Sequence, residues 1–397
     1  MEQIITSILD TDLYKLTMQQ CVFHQYPNAT AKYVFKCRNK GIKLGFLAPL
    51  INEQIKTMAN LSLTQNEEFW AREKLPFLTD DYFTYLRNYR FKPEQVNCYA
   101  EKISLNGNSK NVIPDSELII EIEGPWVETI LYEVPILAIV NELYFRETSE
   151  FKTIEGRGIQ NLKDKMNLIR QYPTLTIAEF GTRRRYSGDW QKYILTELIR
   201  NCPQVVGTSN IKLAMDLNIK PIGTMAHEYI SAHLALAHMP VAQKRAMHVW
   251  LQEYGTNLGI ALTDTFTSDA FLRDFDFVLA NTFAGVRHDS GDPVEFGRKF
   301  IAHYKKLGID PRTKTIVFSD GLDVPEAIRI YKEFTGLIGV SFGIGTNLTN
   351  DLGVTPLNIV IKLIECNGKN VCKLSDNPGK AMGDVKTVEI VKGIYVK

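Results

Sequence analysis

Apolar and polar positions give the chain three textures along its length. Residues 1–131 mix helical and strand-like pieces. Within 12–26, apolar side chains at Leu13, Leu16, Met18, Cys21 and Val22 recur at helical spacing, and Pro27 ends the run. Residues 31–37, AKYVFKC, alternate as a strand. Residues 117–123, ELIIEIE, do so again and stop at Gly124-Pro125. From 132 to 355, short β-type runs alternate with longer amphipathic patterns. Strands are predicted at 176–180, 205–208, 221–225, 259–263, 276–279, 285–287, 315–319 and 338–342, and helices at 191–200, 241–253, 293–307 and 324–334. Such alternation marks parallel βα units, and a strand count near eight favours a barrel over an open doubly wound sheet. Residues 356–397 return to β-type patterning, with strands predicted at 371–374 and 385–391. The expected fold is α/β: an irregular α/β barrel over 132–355, plus an α+β domain in which the N-terminal part, 1–131, is joined by the C-terminal tail, 356–397.

Composition narrows the class. The 397 residues carry 46 Lys plus Arg against 45 Asp plus Glu, a net charge of +1, which argues against a general nucleic-acid or anionic-membrane binder. With 45% hydrophobic and 23% charged residues the chain reads as an ordinary globular protein. The densest apolar run, 134–140, contains Pro135 and lies between Glu133 and Glu142, far short of a membrane span. The N-terminal MEQIITSILDTD lacks the basic-then-apolar order of a signal peptide, so a cytoplasmic location is expected. The cysteines at 21, 37, 98, 202, 366 and 372 include no Cys-x-x-Cys pair and read as reduced thiols used as small hydrophobes. Cys366 and Cys372 bracket a turn-like segment, 367–370.

Candidate chemistry gathers at the C-terminal ends of the predicted strands: EFGTRRR at 179–185, GTSN at 207–210, GTMAHE at 223–228, TDTF at 263–266, RHDSGDP at 287–293, FSDGLD at 318–323 and FGIGTN at 342–347. In a parallel barrel these ends share one rim, where barrel active sites lie. The last two clusters have the small residues and following helices of an anion-binding turn. Arg287 suits a carboxylate or phosphate, and Asp289 suits ribose hydroxyls or a magnesium-bound substrate. Asp292 with Pro293 reads as a helix cap. The run Arg183-Arg184-Arg185 is too concentrated for a solvated face, although one of the three is expected to be just that. His227 and His233 are six residues apart, ~240° around a helix, which does not fit a two-histidine zinc motif. His227 is instead a candidate nucleophile or acid–base group.

With DTDLYKLTM at 10–18, these motifs in this order resemble the nicotinate phosphoribosyltransferase family, over nearly the whole chain. The resemblance implies a type II phosphoribosyltransferase. Such an enzyme joins nicotinate to phosphoribosyl pyrophosphate, giving nicotinate mononucleotide and pyrophosphate, with ATP as co-substrate, Mg2+ accompanying the phosphates, and a homodimer that shares its active sites. It further implies that His227 is phosphorylated by ATP and that Tyr14 reaches the pyridine ring from a partner subunit. Arg287 and Thr224 would lie at nicotinate, and Arg183 between ring and ribose. Asp289, Ser319, Asp320, Gly321, Gly343, Gly345 and Thr346 would hold ribose and its phosphate, with His227, Asp289 and Arg183 the catalytic set. Uncharged Ser209 and Asn210 favour nicotinate over nicotinamide. A nicotinamide or quinolinate phosphoribosyltransferase, a metal-dependent barrel hydrolase and a non-catalytic sugar-phosphate binding module are the alternatives.

Overall fold

The computed structural model describes residues 2–101, 116–149 and 151–396. Strands β1 (Thr30–Cys37), β2 (Val96–Ala100) and β3 (Leu118–Pro125) begin an antiparallel sheet. Strands β4 (Ile177–Glu179), β5 (Val205–Thr208), β6 (Lys220–Pro221), β7 (Ile260–Leu262), β8 (Gly285–His288), β9 (Thr315–Phe318) and β10 (Gly339–Ile344) then form a second, wholly parallel sheet. The chain closes on β11 (Ile359–Cys366) and β12 (Lys369–Asn370), which complete the first sheet in the order β12-β11-β1-β3-β2. The parallel sheet has the order β6-β5-β4-β10-β9-β8-β7 and curls into a half-barrel, with β6 and β7 as its unpaired edges.

Seven of the eight strands predicted for the barrel are present in this sheet. The exception is 276–279, which lies in a helix, Phe277–Thr282, because the Asp276 side chain accepts from the Leu279 N–H and starts a turn. The strand expected over 221–225 is shorter, since after Ile222 the chain turns beneath Leu13 and Tyr14, where Gly223 leaves room for their backbone. The tail does join the N-terminal sheet, through a different segment from the one expected. β11 pairs antiparallel with β1 from Ala31–Cys366 to Cys37–Ile359. The stretch 371–374 instead makes one bridge, Lys373 to Met382, and the Leu374 N–H donates to Thr265 O, which docks it on the half-barrel. The stretch 385–391 is helical (Val385–Tyr395), its β-branched residues overridden by the Asp384 cap on the Thr387 N–H. Asn367 and Gly368, both at positive φ, make the two-residue turn between β11 and β12.

Helix Leu13–Gln25 starts where predicted. Its first turn is stitched to the end of β5: the Leu13 N–H donates to Ser209 O at 2.8 Å, and the Ser209 hydroxyl donates to Asp12 Oδ1 at 2.7 Å. The apolar run around Pro135 is a helix, Glu133–Thr148, buried on nearly every side. Pro135 falls in its first turn, where backbone N–H groups need no intrahelical partner. Asp292 caps helix Pro293–Lys306 as predicted, accepting from the Glu295 N–H at 2.7 Å. All six cysteines are free, and all but Cys37 are buried.

None of the three consecutive arginines is a solvated face. Arg183 pairs with Glu133, Arg184 donates to Ile359 O and Asn358 on the tail, and Arg185 is buried. Arg185 makes a bidentate pair with Asp10, at 2.8 and 2.9 Å, tying the N-terminal segment to the rim. Burial pushes the Asp10 carboxyl up, and Arg185, with help from Asn210 and Lys212, more than offsets it, leaving it below its ordinary value. Arg185→Met should therefore cost about 3–5 kcal/mol of stability in urea unfolding, because it strands a buried carboxylate. The double variant with Asp10→Asn should recover most of that loss.

Candidate active site

Because the strands of the second sheet are parallel, the loops after them open on one rim, and β11 forms the opposite wall. Between them lies a cavity of about 360 Å³, to which Tyr14, Arg183, His227, Arg287, Asp289, Ser319, Asp320, Gly321, Gly343, Gly345 and Thr346 all contribute. An apolar side chamber of about 80 Å³ adjoins it, lined by Asp12, Tyr14, Phe180, Arg183, Ser209, Thr224 and Arg287 among others. Every candidate site residue from the sequence except Asn210 thus lines one of two neighbouring spaces. Arg287 and His227 share the larger one.

Several assignments change in detail. The chain's own Tyr14 lines the cavity, carried there by the 10–14 segment that is fastened to β5. Asn210 turns away from the chamber, donating to Asp10 and capping helix Ile211–Leu217. The Thr224 hydroxyl is spent on Ile260 O at 2.8 Å. A Cβ on Gly343 would lie 2.3 Å from the Phe180 ring, so this glycine makes room for an aromatic wall. Gly321, at φ +60, supplies a left-handed turn after β9.

The polar floor centres on His227, the first residue of helix His227–Leu236. Its Nε2 lies 2.9 Å from Asp264 Oδ1, 2.7 Å from Lys373 Nζ and 3.5 Å from Asp289 Oδ2. Nδ1 has no hydrogen-bond partner among the described residues. Burial, then the Lys373 ammonium, pull the imidazole down to about 4, so it is neutral near pH 7. Burial would raise the Asp264 carboxyl, but His227 and Lys373 hold it well below its usual range. Asp289 is likewise held low against burial, chiefly by Arg287 at 3.2 Å, and it accepts from the Ser319 hydroxyl at 2.9 Å.

Two buried polar atoms here have no hydrogen-bond partner among the described residues: Tyr14 Oη and Arg287 Nε. Both belong to residues that line the side chamber, where a ligand could meet them. Arg38, Arg184, Lys362, Lys373 and Lys380 add a cationic wall. Lys362, at the middle of β11, has no ion-pair or hydrogen-bond partner among the described residues, and burial pulls its ammonium down to about 8.

His227, Asp264 and Asp289 are the only three metal-capable groups among the described residues whose donor atoms converge, within 4.8 Å. The Lys373 ammonium, 3.0 Å from Asp264 Oδ2, already supplies the positive charge there, so the cluster does not suit a resident divalent ion. Sequence reasoning did not single out Asp264, Phe180, Glu133, Lys362 or Lys373. Asp264 and Phe180 lay inside the TDTF and EFGTRRR motifs. The lysines had no local signal, because only the strand pairing of the tail brings them to the rim.

The sequence model described as the nicotinate phosphoribosyltransferase (NAPRTase) family matches residues 175–397, and that of the family's N-terminal domain matches 9–141. The chain is 46% identical to a nicotinate phosphoribosyltransferase of Acinetobacter baumannii, over 98% of this chain and 96% of that one. It is 47% identical to that of Proteus mirabilis, over 96% and 93%. The crystal structure of nicotinate phosphoribosyltransferase from Porphyromonas gingivalis superimposes with a TM-score of 0.91 at 36% identity, covering 99% of this chain and 100% of that one. With both family models matched and full-length relatives this similar, the chain belongs to the nicotinate phosphoribosyltransferase family.

Proposed function

We propose that this chain joins nicotinate to phosphoribosyl pyrophosphate, releasing nicotinate mononucleotide and pyrophosphate, and couples the step to ATP hydrolysis through a phosphohistidine at His227. The observation that carries the reading is an aromatic chamber holding two guanidinium groups, which adjoins a cation-walled cavity floored by a neutral imidazole. Arg183 and Arg287 reach the chamber, each also paired with a carboxylate, Glu133 or Asp289, and the Arg287 Nε left open there suits the carboxylate of an anionic ring. Tyr14 and Phe180 supply ring faces, and the unpartnered Arg287 Nε and Tyr14 Oη supply donors.

With the ring held there, its nitrogen attacks the anomeric carbon as the carbon–oxygen bond to pyrophosphate breaks. The enzyme's part is positioning and charge neutralisation, with no covalent attack on the sugar. Asp289, fixed by Arg287 and Ser319, offers acceptors for ribose hydroxyls. The Arg38, Arg184, Lys362 and Lys380 wall receives phosphates. Magnesium enters as the counter-ion of those phosphates, in keeping with its preference for substrate oxygens and water over an all-protein cage. In the ATP half-reaction, the His227 lone pair takes the γ-phosphoryl group as ADP leaves. Asp264 and Lys373 engage Nε2, and Nδ1, with no hydrogen-bond partner among the described residues, is the nitrogen left open to react. Water later cleaves the N–P bond, returning phosphate and imidazole.

Incubation with γ-labelled ATP should place acid-labile, base-stable label on the wild type and none on His227→Asn. An unlabelled wild type would refute the coupling. With the imidazole down at about 4, labelling should hold from pH 8 to pH 5 and fall by half near pH 4 as the ring protonates. An ordinary histidine would lose half its reactivity near 6.5. Gly343→Ala should displace the Phe180 ring and lower kcat/KM for nicotinate about 10- to 100-fold, as read by initial rates. Turnover of nicotinamide faster than nicotinate would overturn the assignment of the ring acid.

A further inference from the structure

We propose that Lys15, Glu133 and Glu228 form a buried positioning triad that sets Tyr14, Arg183 and His227 in register across the cavity, a role that rests on this cavity being the catalytic site. The Lys15 side chain is fully buried, and its Nζ lies 2.6 Å from Glu133 Oε2 and 2.5 Å from Glu228 Oε2. Each member of the triad is attached to a different piece of the site. Lys15 follows Tyr14 in helix Leu13–Gln25. Glu228 follows His227 in the first turn of helix His227–Leu236. Glu133 opens helix Glu133–Thr148, and its second oxygen lies 3.4 Å from Arg183 Nη1. The second oxygen of Glu228 accepts from the Tyr33 hydroxyl at 3.3 Å, which adds β1 to the same knot.

One ammonium therefore joins three elements that are far apart in sequence, and each delivers a side chain to the cavity within one residue or one hydrogen bond. Burial would strip the Lys15 proton, and the two carboxylates hold it in place. Stability alone does not require charges here, because a well-packed apolar cluster of the same volume serves as well as a buried ion pair. The best-attested use of buried charge is to fix register. A carboxylate shared between Lys15 and Arg183 fixes the direction of the guanidinium as well as its distance. Lys15, Glu133 and Glu228 are accordingly positioning residues, acting through the groups they hold.

The test uses full-length Glu133→Gln, Glu228→Gln, Lys15→Met and Lys15→Arg. The measurements are thermal midpoint, nicotinate affinity by calorimetry, and the rate of His227 labelling from γ-labelled ATP. Glu133→Gln, which cannot accept from both Lys15 and Arg183, should weaken nicotinate binding on the order of tenfold and leave labelling within about twofold. Glu228→Gln should do the reverse, and Lys15→Met should do both, with Lys15→Arg restoring part of each. Variants that melt earlier yet keep wild-type nicotinate affinity and labelling rate would overturn the triad's role. If Lys15→Met does not fold, the near-isosteric glutamine pair decides the matter. A wild type that binds nicotinate without converting it would refute the proposed reaction, while the binding arm still reads the triad.

Discussion

The site depends on the antiparallel pairing of β11 with β1. Strand pairing at such sequence separation brings residues from both ends of the chain over the rim of a half-barrel built from its middle. Without it, the rim would keep Arg183, Arg287 and Asp289 but lose the wall carrying Lys362 and the segment that delivers Lys373 and Lys380. The same pairing seats Val360 to Leu363 along the cavity, so the backbone hydrogen bonds of a sheet set the spacing between the two sides. Catalytic geometry here is a consequence of strand register.

Charge within this enclosure is arranged in opposed sets. On the floor, Asp264 and Asp289 face Lys373 and Arg287, and the imidazole between them stays neutral. On the β11 side, cations outnumber carboxylates and Lys362 has no ion-pair or hydrogen-bond partner among the described residues. A polyphosphate entering that space meets ammonium and guanidinium groups whose positions are already set by packing, so little reorganisation is needed when it binds. In the side chamber, Asp12 accepts from Ser209 and lies near Arg183. Arg183 and Arg287 are also held by Glu133 and Asp289, so the guanidinium groups are fixed in direction before a ligand enters.

Much of this was readable from the chain itself. The strand–loop–helix rhythm placed seven parallel strands, and the polar clusters at their ends named residues that do line one site. What escaped were features decided by competition between local and distant forces. Residues 276–279 and 385–391 have the β-branched and aromatic content of strands, but an aspartate cap in each case turns them into helices. The strand at 359–366 reads IVIKLIEC, six apolar residues of eight with no clean alternation, and the lysines of the tail reach the rim only through its pairing. Phe180 and Gly343 are a matched pair, ring and gap, that only the packing of β4 against β10 reveals. Nothing in the local sequence marks Lys15, which is buried because two glutamates from elsewhere in the chain meet it.

The free thiols follow the same architecture. Cys98 and Cys366 lie on β2 and β11 of the antiparallel sheet, Cys21 lies in the helix that carries Tyr14, and Cys202 sits at the end of the helix before β5. Burial raises all four, with Cys21, Cys98 and Cys366 pushed up to about 12, so an alkylating reagent finds almost no thiolate while the chain is closed. Each sulfur becomes a clock that starts when its own layer parts. Pulsed alkylation followed by peptide mapping would time the opening of the clasp between the two chain ends separately from that of the half-barrel, with no engineered label.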